Sequence, residues 1–122
     1  MVNGVNTMAD CIFCKIAQKE IPSKLVYEDD TVVAFCDLEP QAPEHVLVIP
    51  KKHVESLLAL QEEDKALAAH ILVDVIPQLA RDLGVAEKGF RVVANTGEDG
   101  GQTVKHLHFH LLGGRSMQWP PG

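Results

Sequence analysis

The chain has 122 residues, with 17 acidic and 11 basic side chains and a formal net charge of −6. That length suits one domain with one hydrophobic core. Hydrophobic residues make up 46% and charged residues 23%, which is typical of a globular domain and excludes a disordered chain. The acidic balance argues against a protein that coats nucleic acid or an anionic membrane.

The cysteine count and the N-terminal segment bear on the compartment. Three cysteines are an odd and small number for a disulfide framework. The first ten residues lack a basic region followed by an apolar run, so they do not resemble a signal peptide. No apolar stretch approaches the roughly 20 residues that cross a bilayer. We therefore expect a cytoplasmic protein, in which Cys11 and Cys14 are thiols or metal ligands rather than a disulfide.

The first half of the chain predicts a short helix and three strands. Residues 1–8 show no periodicity, so we expect a disordered extension before a single domain over residues 9–122. Apolar residues at helical spacing predict a helix over residues 11–21, closed by Pro22. Two strand-like runs, at 24–28 and 31–36, flank Asp29 and Asp30 and indicate a hairpin. The apolar run at 45–49 predicts a buried strand that ends at Pro50.

The second half predicts one long helix and two more strands. Leu67, Ile71, Val75 and Leu79 fall on one i+4 row of a helix that begins near residue 61 and ends at Gly84. Pro77 lies inside this pattern and should kink the helix or end its regular part. Strands are expected at 90–95 and 105–112, separated by a loop at 96–101. Strands grouped around one long helix predict an α+β fold with a mainly antiparallel sheet.

Three alternating histidines carry the chemical signal of the sequence. In a strand, His106, His108 and His110 share one face, and the apolar residues between them occupy the other. Spacing alone leaves two alternatives. The three imidazoles could converge on one zinc ion, or one could be a nucleophile whose neighbours bind a phosphoryl group. The preceding Gly-Gly-Gln-Thr at 100–103 offers backbone N–H groups, an amide and a hydroxyl that suit an anionic oxygen.

The run His-Leu-His-Phe-His-Leu-Leu at 106–112 matches the histidine-triad pattern, and other segments extend the match. They are Cys-Ile-Phe-Cys-Lys-Ile at 11–16, Asp-Leu-Glu-Pro-Gln-Ala-Pro at 37–43, His-Val-Leu-Val-Ile-Pro-Lys-Lys-His at 45–53, Asn95, the run at 100–103, and the tail Gly-Gly-Arg-Ser-Met-Gln-Trp-Pro-Pro-Gly at 113–122. Over residues 9–122 the chain thus resembles the HINT branch of the histidine triad (HIT) superfamily. The resemblance implies a HIT-like fold with a five-stranded sheet, one long and one short helix, and sheets joined in a homodimer.

The resemblance also implies an activity. It is that of a purine nucleotide phosphoramidase, which hydrolyses the P–N bond of AMP-amines, or the P–O anhydride bond of acyl-AMP, through a covalent nucleotidyl-histidine. His108 corresponds to the nucleophile, with one nitrogen held by a backbone carbonyl. His110 would bind phosphoryl oxygens, and His45 would support the phosphate and the leaving-group side. Thr103 would stand near the leaving group.

The nucleotide-binding residues follow from the same resemblance. Asp37 would accept hydrogen bonds from the ribose hydroxyls, with a plain turn residue as the alternative. The purine slot would be lined by Phe13, Ile16, Phe35 and Leu38, for which core packing is the alternative. The residues expected at the phosphate are Asn95, Gly101, Gln102 and Thr103.

The cysteine pair resembles that of microbial-type members that carry zinc. The ligands there correspond to Cys11, Cys14, His53 and His106, a closed site with a structural role and none in catalysis. Free buried thiols are the alternative. Cys36 is expected in the core, and His70 is expected to be structural.

The expected ligand is a purine nucleoside monophosphate or phosphoramidate. The expected partner is a second copy of the chain, with the Trp119 tail near its site; neither nucleic acid nor a membrane is expected. Two other functions stay open: a dinucleoside polyphosphate hydrolase of the same superfamily, and a nucleotide-binding regulator with little catalysis.

Overall fold

The computed structural model describes residues 10–122, and the extension expected at 1–8 lies outside the described residues. Five strands form one sheet: β1 (Leu25–Glu28), β2 (Val32–Cys36), β3 (Glu44–Pro50), β4 (Phe90–Val93) and β5 (Phe109–Gly113). Their spatial order is β1-β2-β3-β5-β4, and every neighbouring pair is antiparallel. The predicted α+β fold with a five-stranded antiparallel sheet is confirmed.

The short helix α1 (Ile12–Ala17) begins at Cys11, whose sulfur accepts a hydrogen bond from the Cys14 N–H. It ends before the predicted boundary at residue 21 because the chain turns at Lys19, which has a φ of 65°. Four of its six residues are buried, among them Phe13 and Cys14. The helix is therefore anchored by the same segment that carries the cysteine pair.

The long helix is continuous over 21 residues but changes its winding. A 3-10 turn (Glu62–Asp64) leads into α2 (Lys65–Ala69), then a π-helical segment (His70–Val75), then α3 (Ile76–Asp82). Pro77 has no N–H to donate to the preceding turn. The wider π turn directly before it accommodates that missing bond, so the irregularity expected at Pro77 takes this form.

The two faces of the sheet pack differently. One face packs against the long helix and forms the larger core: Val32, Ala34, Val46, Val48, Phe109 and Leu111 meet Ile71, Val75, Ile76 and Leu79. The other face packs against α1 and its flanks, through Val33, Phe35, Leu47 and Ile49. His45, His108 and His110 lie on this second face. Among residues 10–122, no helix is long and apolar enough to cross a membrane.

The last strand is shorter than predicted. β5 begins at Phe109, so the expectation of strand over 105–108 is wrong, as is that of β4 beyond Val93. The Leu107 N–H donates to the Val54 carbonyl oxygen at 2.6 Å instead of joining the sheet ladder. The alternation of faces survives, since Leu107 packs in the larger core. The expectation that Cys36 is a core residue is also wrong, because it is only half-buried at the end of β2.

Candidate functional site

The triad histidines do not converge on one point. Nδ1 of His106 faces the sulfurs of Cys11 and Cys14, whereas Nδ1 of His110 lies 2.9 Å from Nε2 of His45. His108 stands between them, with its ring centroid 5.1 Å from that of His110. Of the two alternatives that the spacing left open, a zinc ion shared by all three imidazoles does not match this geometry.

His108 has the tautomer that a nucleophile needs. Its Nδ1 lies 2.7 Å from the carbonyl oxygen of His106. A carbonyl only accepts hydrogen bonds, so Nδ1 carries the proton and Nε2 carries the lone pair. The residue is 5% exposed, and this burial lowers the pKa of His108 below its ordinary value. The imidazole is therefore neutral near pH 7, with one nitrogen free to attack.

His45 and His110 form a second pair beside it. His45 lies in β3 and His110 in β5, on neighbouring strands of one sheet. Burial, together with the imidazoles of His108 and His45, lowers the pKa of His110 to about 4. Burial also lowers the pKa of His45, although Asp37 acts against it. Two neutral imidazoles thus share one hydrogen bond at the edge of the site.

Asp37 adds a carboxylate to this pair. Its Oδ1 accepts a hydrogen bond from the Glu39 N–H at 2.8 Å, and its Oδ2 lies 3.5 Å from Nε2 of His45. One oxygen therefore holds the turn, in keeping with the turn-residue alternative, and the other faces His45. Ligand atoms of Asp37, His45 and His110 lie within 4.8 Å of one another.

An apolar cluster lies against His108. The ring of Phe13 meets His108 edge-on, with centroids 5.0 Å apart, and meets Phe35 at 5.5 Å. Ile16 belongs to the same buried cluster. Leu38, in contrast, is 96% exposed and is not part of it. Three of the four expected slot residues therefore share one buried cluster, of which Phe13 contacts His108, and their packing also fits the alternative of a plain core.

The loop before the triad is organised by Gln102. Its Oε1 accepts from the Gly97 N–H, and its Nε2 donates to the carbonyls of Glu55 and Val104. The side-chain amide expected at the phosphate is thus already bonded within the protein. Thr103 is exposed next to it, and Asn95 is half-buried at the other end of the loop.

The four expected metal ligands come together on the other side of the triad. Nδ1 of His106 lies 3.3 Å from Sγ of Cys11 and 3.5 Å from Sγ of Cys14, and Nδ1 of His53 lies 3.2 Å from Sγ of Cys14. His106 donates from Nε2 to the Pro50 carbonyl at 2.8 Å, which turns the lone pair on Nδ1 toward the sulfurs. The four side chains could hold a metal ion.

His70 takes no part in either cluster. Its Nε2 lies 2.7 Å from Asp29 and its Nδ1 lies 2.8 Å from Asp74. It ties the β1–β2 turn to the π-helical segment, which matches the structural role expected for it. Another contributor could not be recognised from the residue pattern: the main-chain N–H of Gln41 donates to Nδ1 of His45 at 3.0 Å.

Comparison with known proteins places this geometry in a family. The HIT domain matches residues 18–117 of the chain. An uncharacterized HIT-like protein of Synechococcus elongatus is 55% identical over 113 residues, 93% of this chain and 97% of that protein. The fold matches a HIT family hydrolase of Legionella pneumophila with a TM-score of 0.89 and 51% identity, over 92% of this chain and 99% of that one. A histidine triad protein of Clostridium difficile matches with a TM-score of 0.86 and 51% identity, over 97% of each chain.

Proposed function

Because the chain belongs to the HIT domain family, we propose that it is a purine nucleotide phosphoramidase of the HINT branch. The observation that carries this proposal is the state of His108: buried, neutral, with Nδ1 fixed on the His106 carbonyl and Nε2 free. A side chain held in this way is prepared for attack on an electrophilic phosphorus. A protein that only bound nucleotides would gain nothing from this arrangement.

The reaction has two displacements. In the first, the Nε2 lone pair of His108 forms a bond to the α-phosphorus of an adenosine 5′-phosphoramidate. The P–N bond to the amine breaks, and the amine keeps the bonding pair and takes up a proton from the medium. In the second, a water oxygen bonds to phosphorus and loses a proton, and the P–Nε2 bond returns its electron pair to His108. The products are the amine and the nucleoside monophosphate.

The surrounding residues have roles in keeping with their positions. His110 stands next to His108 and donates to phosphoryl oxygens, which steadies the charge of the transition state. Asp37 accepts from the ribose hydroxyls, and the Phe13 and Phe35 rings support the purine. Thr103, exposed at the end of the loop, stands near the leaving group, with Asn95 and Gly101 on the phosphate side.

Turnover and trapping together test the proposal. We expect wild-type protein to release amine from adenosine 5′-phosphoramidate. A rapid quench in alkaline denaturant, which preserves the acid-labile P–N bond, should trap one nucleotidyl group on His108, detected by peptide mass analysis at alkaline pH. His108→Ala should abolish both signals, whereas the matched control His70→Ala, outside the site, should keep them. Equal turnover by wild type and His108→Ala contradicts the mechanism. Faster cleavage of a diadenosine polyphosphate would favour the dinucleoside polyphosphate hydrolase. Tight nucleotide binding without turnover would favour a nucleotide-binding regulator.

For the second cluster we propose a structural zinc ion held by Cys11, Cys14, His53 and His106. Tetrahedral zinc with ordinary bond lengths places sulfur and nitrogen ligands about 3.6 Å apart, and the three separations here are 3.2, 3.3 and 3.5 Å. The ion would fix α1 to the segment before β5. Elemental analysis of protein purified without added metal should give about one zinc per chain, and its absence there would contradict the site.

We also propose that two copies of the chain pair along β4. This strand lies at the end of the sheet, with Phe90 38% and Val92 36% exposed. Exposed edges with apolar side chains are open to pairing with another strand. Sedimentation should give the mass of two chains, and Val92→Lys should shift the protein toward one. A single chain at every concentration would exclude the dimer.

A further inference from the structure

The two nitrogens of His45 face partners of different kinds. Nδ1 lies 3.0 Å from the main-chain N–H of Gln41, which can only donate a hydrogen bond. Nδ1 is therefore the acceptor, and the proton of this neutral imidazole is on Nε2. Nε2 in turn lies 2.9 Å from Nδ1 of His110 and 3.5 Å from Oδ2 of Asp37. Both are acceptors for a proton on Nε2.

The same logic passes to His110. Its Nδ1 accepts the proton that His45 offers, so the proton of His110 is on Nε2, the nitrogen turned away from His45. We propose that the main-chain N–H of Gln41 is a positioning group that fixes the tautomers of His45 and His110, so that His110 presents a donor to the substrate. This inference rests on the phosphoramidase function, because a phosphoryl oxygen is the acceptor for that donor.

The peptide of Gln41 is itself held in place from several sides. Nε of Arg115 donates to the Gln41 carbonyl oxygen at 2.9 Å. The side-chain amide of Gln41 donates to the Glu39 carbonyl, and the Asp37 N–H donates to the His45 carbonyl. The two bonds that do not involve the Gln41 side chain, those of Arg115 and of the Asp37 N–H, close the turn and keep the Gln41 N–H directed at His45. Protein groups that are oriented before the substrate arrives cost no reorganisation during the reaction.

Removal of this one donor has a definite consequence. His45 would then be free to carry its proton on Nδ1 and to turn a lone pair toward His110. The proton of His110 would then move to Nδ1, which would donate to His45. Nε2 of His110 would carry a lone pair and face the phosphoryl oxygens. Attraction at that oxygen would become repulsion, although His108 and its own hydrogen bond to His106 would be unchanged.

Two substitutions at one position separate the main-chain donor from the side chain. Gln41→Pro deletes the N–H, while Gln41→Ala keeps it and removes only the side-chain amide. We expect nitrogen-15 NMR of the histidines to show Nε2–H tautomers for His45 and His110 in wild type and in Gln41→Ala. In Gln41→Pro both residues should become tautomer mixtures, and kcat should fall about tenfold or more below that of Gln41→Ala.

The wild-type spectrum alone can overturn the inference. A proton on Nδ1 of His45 in wild type contradicts it, whatever the proline variant does. Wild-type tautomers that persist in Gln41→Pro contradict it as well. If the tautomers are as expected but wild type fails to turn over the phosphoramidate, the proposed function is wrong and the positioning role of Gln41 stands.

Discussion

The carbonyl oxygen of His106 accepts the Nδ1–H of His108 at 2.7 Å, while the His106 imidazole faces the sulfurs of Cys11 and Cys14. One residue thus connects the proposed zinc cluster to the proposed nucleophile. The imidazole of His106 is held in the proposed metal site, and its carbonyl oxygen sets the tautomer of His108. A substitution at either cysteine should therefore lower turnover indirectly, by moving His106 and with it the carbonyl oxygen that holds His108.

Cys14→Ser tests this connection. We expect it to lose the metal and to lower the free energy of unfolding by about 2–4 kcal/mol, because a structural metal site contributes folding energy. Turnover should fall, though less than in His108→Ala, because His108 remains present with a looser carbonyl partner. Cys36→Ser is the matched control, since Cys36 is half-buried and outside the cluster. Equal unfolding curves for the two variants would contradict the metal site.

We expect the contribution of His70 to the free energy of unfolding to depend on pH. Hydrogen bonds to Asp29 and Asp74 raise the pKa of His70 above its ordinary value. Since the unfolded residue titrates near pH ~6.5, the folded state holds the proton more tightly. The stabilisation is therefore full below about pH 6.5 and is lost as the pH rises through the raised pKa.

Urea unfolding of wild type and His70→Gln across this range measures the effect. The difference in unfolding free energy should be largest on the acid side of about pH 6.5 and should shrink toward alkaline pH. His53→Gln is a poor control because it disturbs the cysteine cluster, so Gln18→Glu, exposed on α1's C-terminal side, serves instead. A difference that does not change with pH would show that His70 acts through packing alone.

We expect substitution of Trp119 to lower activity without lowering stability. Its side chain is 81% exposed, and the tail is held near the sheet by Arg91, which donates to the Gln118 carbonyl at 3.0 Å. If the tail serves the partner's site in a dimer, Trp119→Ala should lower kcat/KM about tenfold, equivalent to about 1.4 kcal/mol. Melting temperature should not change. Leu58→Ala removes a side chain that is 87% exposed elsewhere, and equal kinetics for both variants would exclude the tail from the site.

Side-chain periodicity explains what the sequence could predict of the fold. The i+4 row from Leu67 to Leu79 indicated the long helix, because that row is what packs on the sheet. Alternation also placed the histidines on one face. It could not place the start of β5, because strand boundaries depend on which backbone groups find partners. The Leu107 N–H donates to the Val54 carbonyl, outside the sheet. The residue types at these positions do not indicate that hydrogen bond.

The same distinction applies to the site. The ligand cluster could be predicted because Cys and His are chemically distinctive and occur in a family pattern. The role of the Gln41 N–H could not be predicted, because every residue except proline carries the same donor. Only the conformation of the turn directs this one at His45. Gln102 was expected at the phosphate, and its residue type could not show that its amide donates to the carbonyls of Glu55 and Val104.

Gln102→Glu separates two possible roles of this residue. The substitution keeps an oxygen for the Gly97 N–H but replaces the donor to Glu55 and Val104 with an acceptor. Carboxylate and carbonyl oxygens would then face each other, so we expect the loop to loosen and unfolding free energy to fall by about 1–3 kcal/mol. Amide hydrogen exchange over residues 97–102 should accelerate, and KM should rise. Gln18→Glu, at an exposed position, controls for the added charge. A fall in kcat with unaltered exchange would instead favour a role of Gln102 at the phosphate, because turnover would then fall while the loop stays closed.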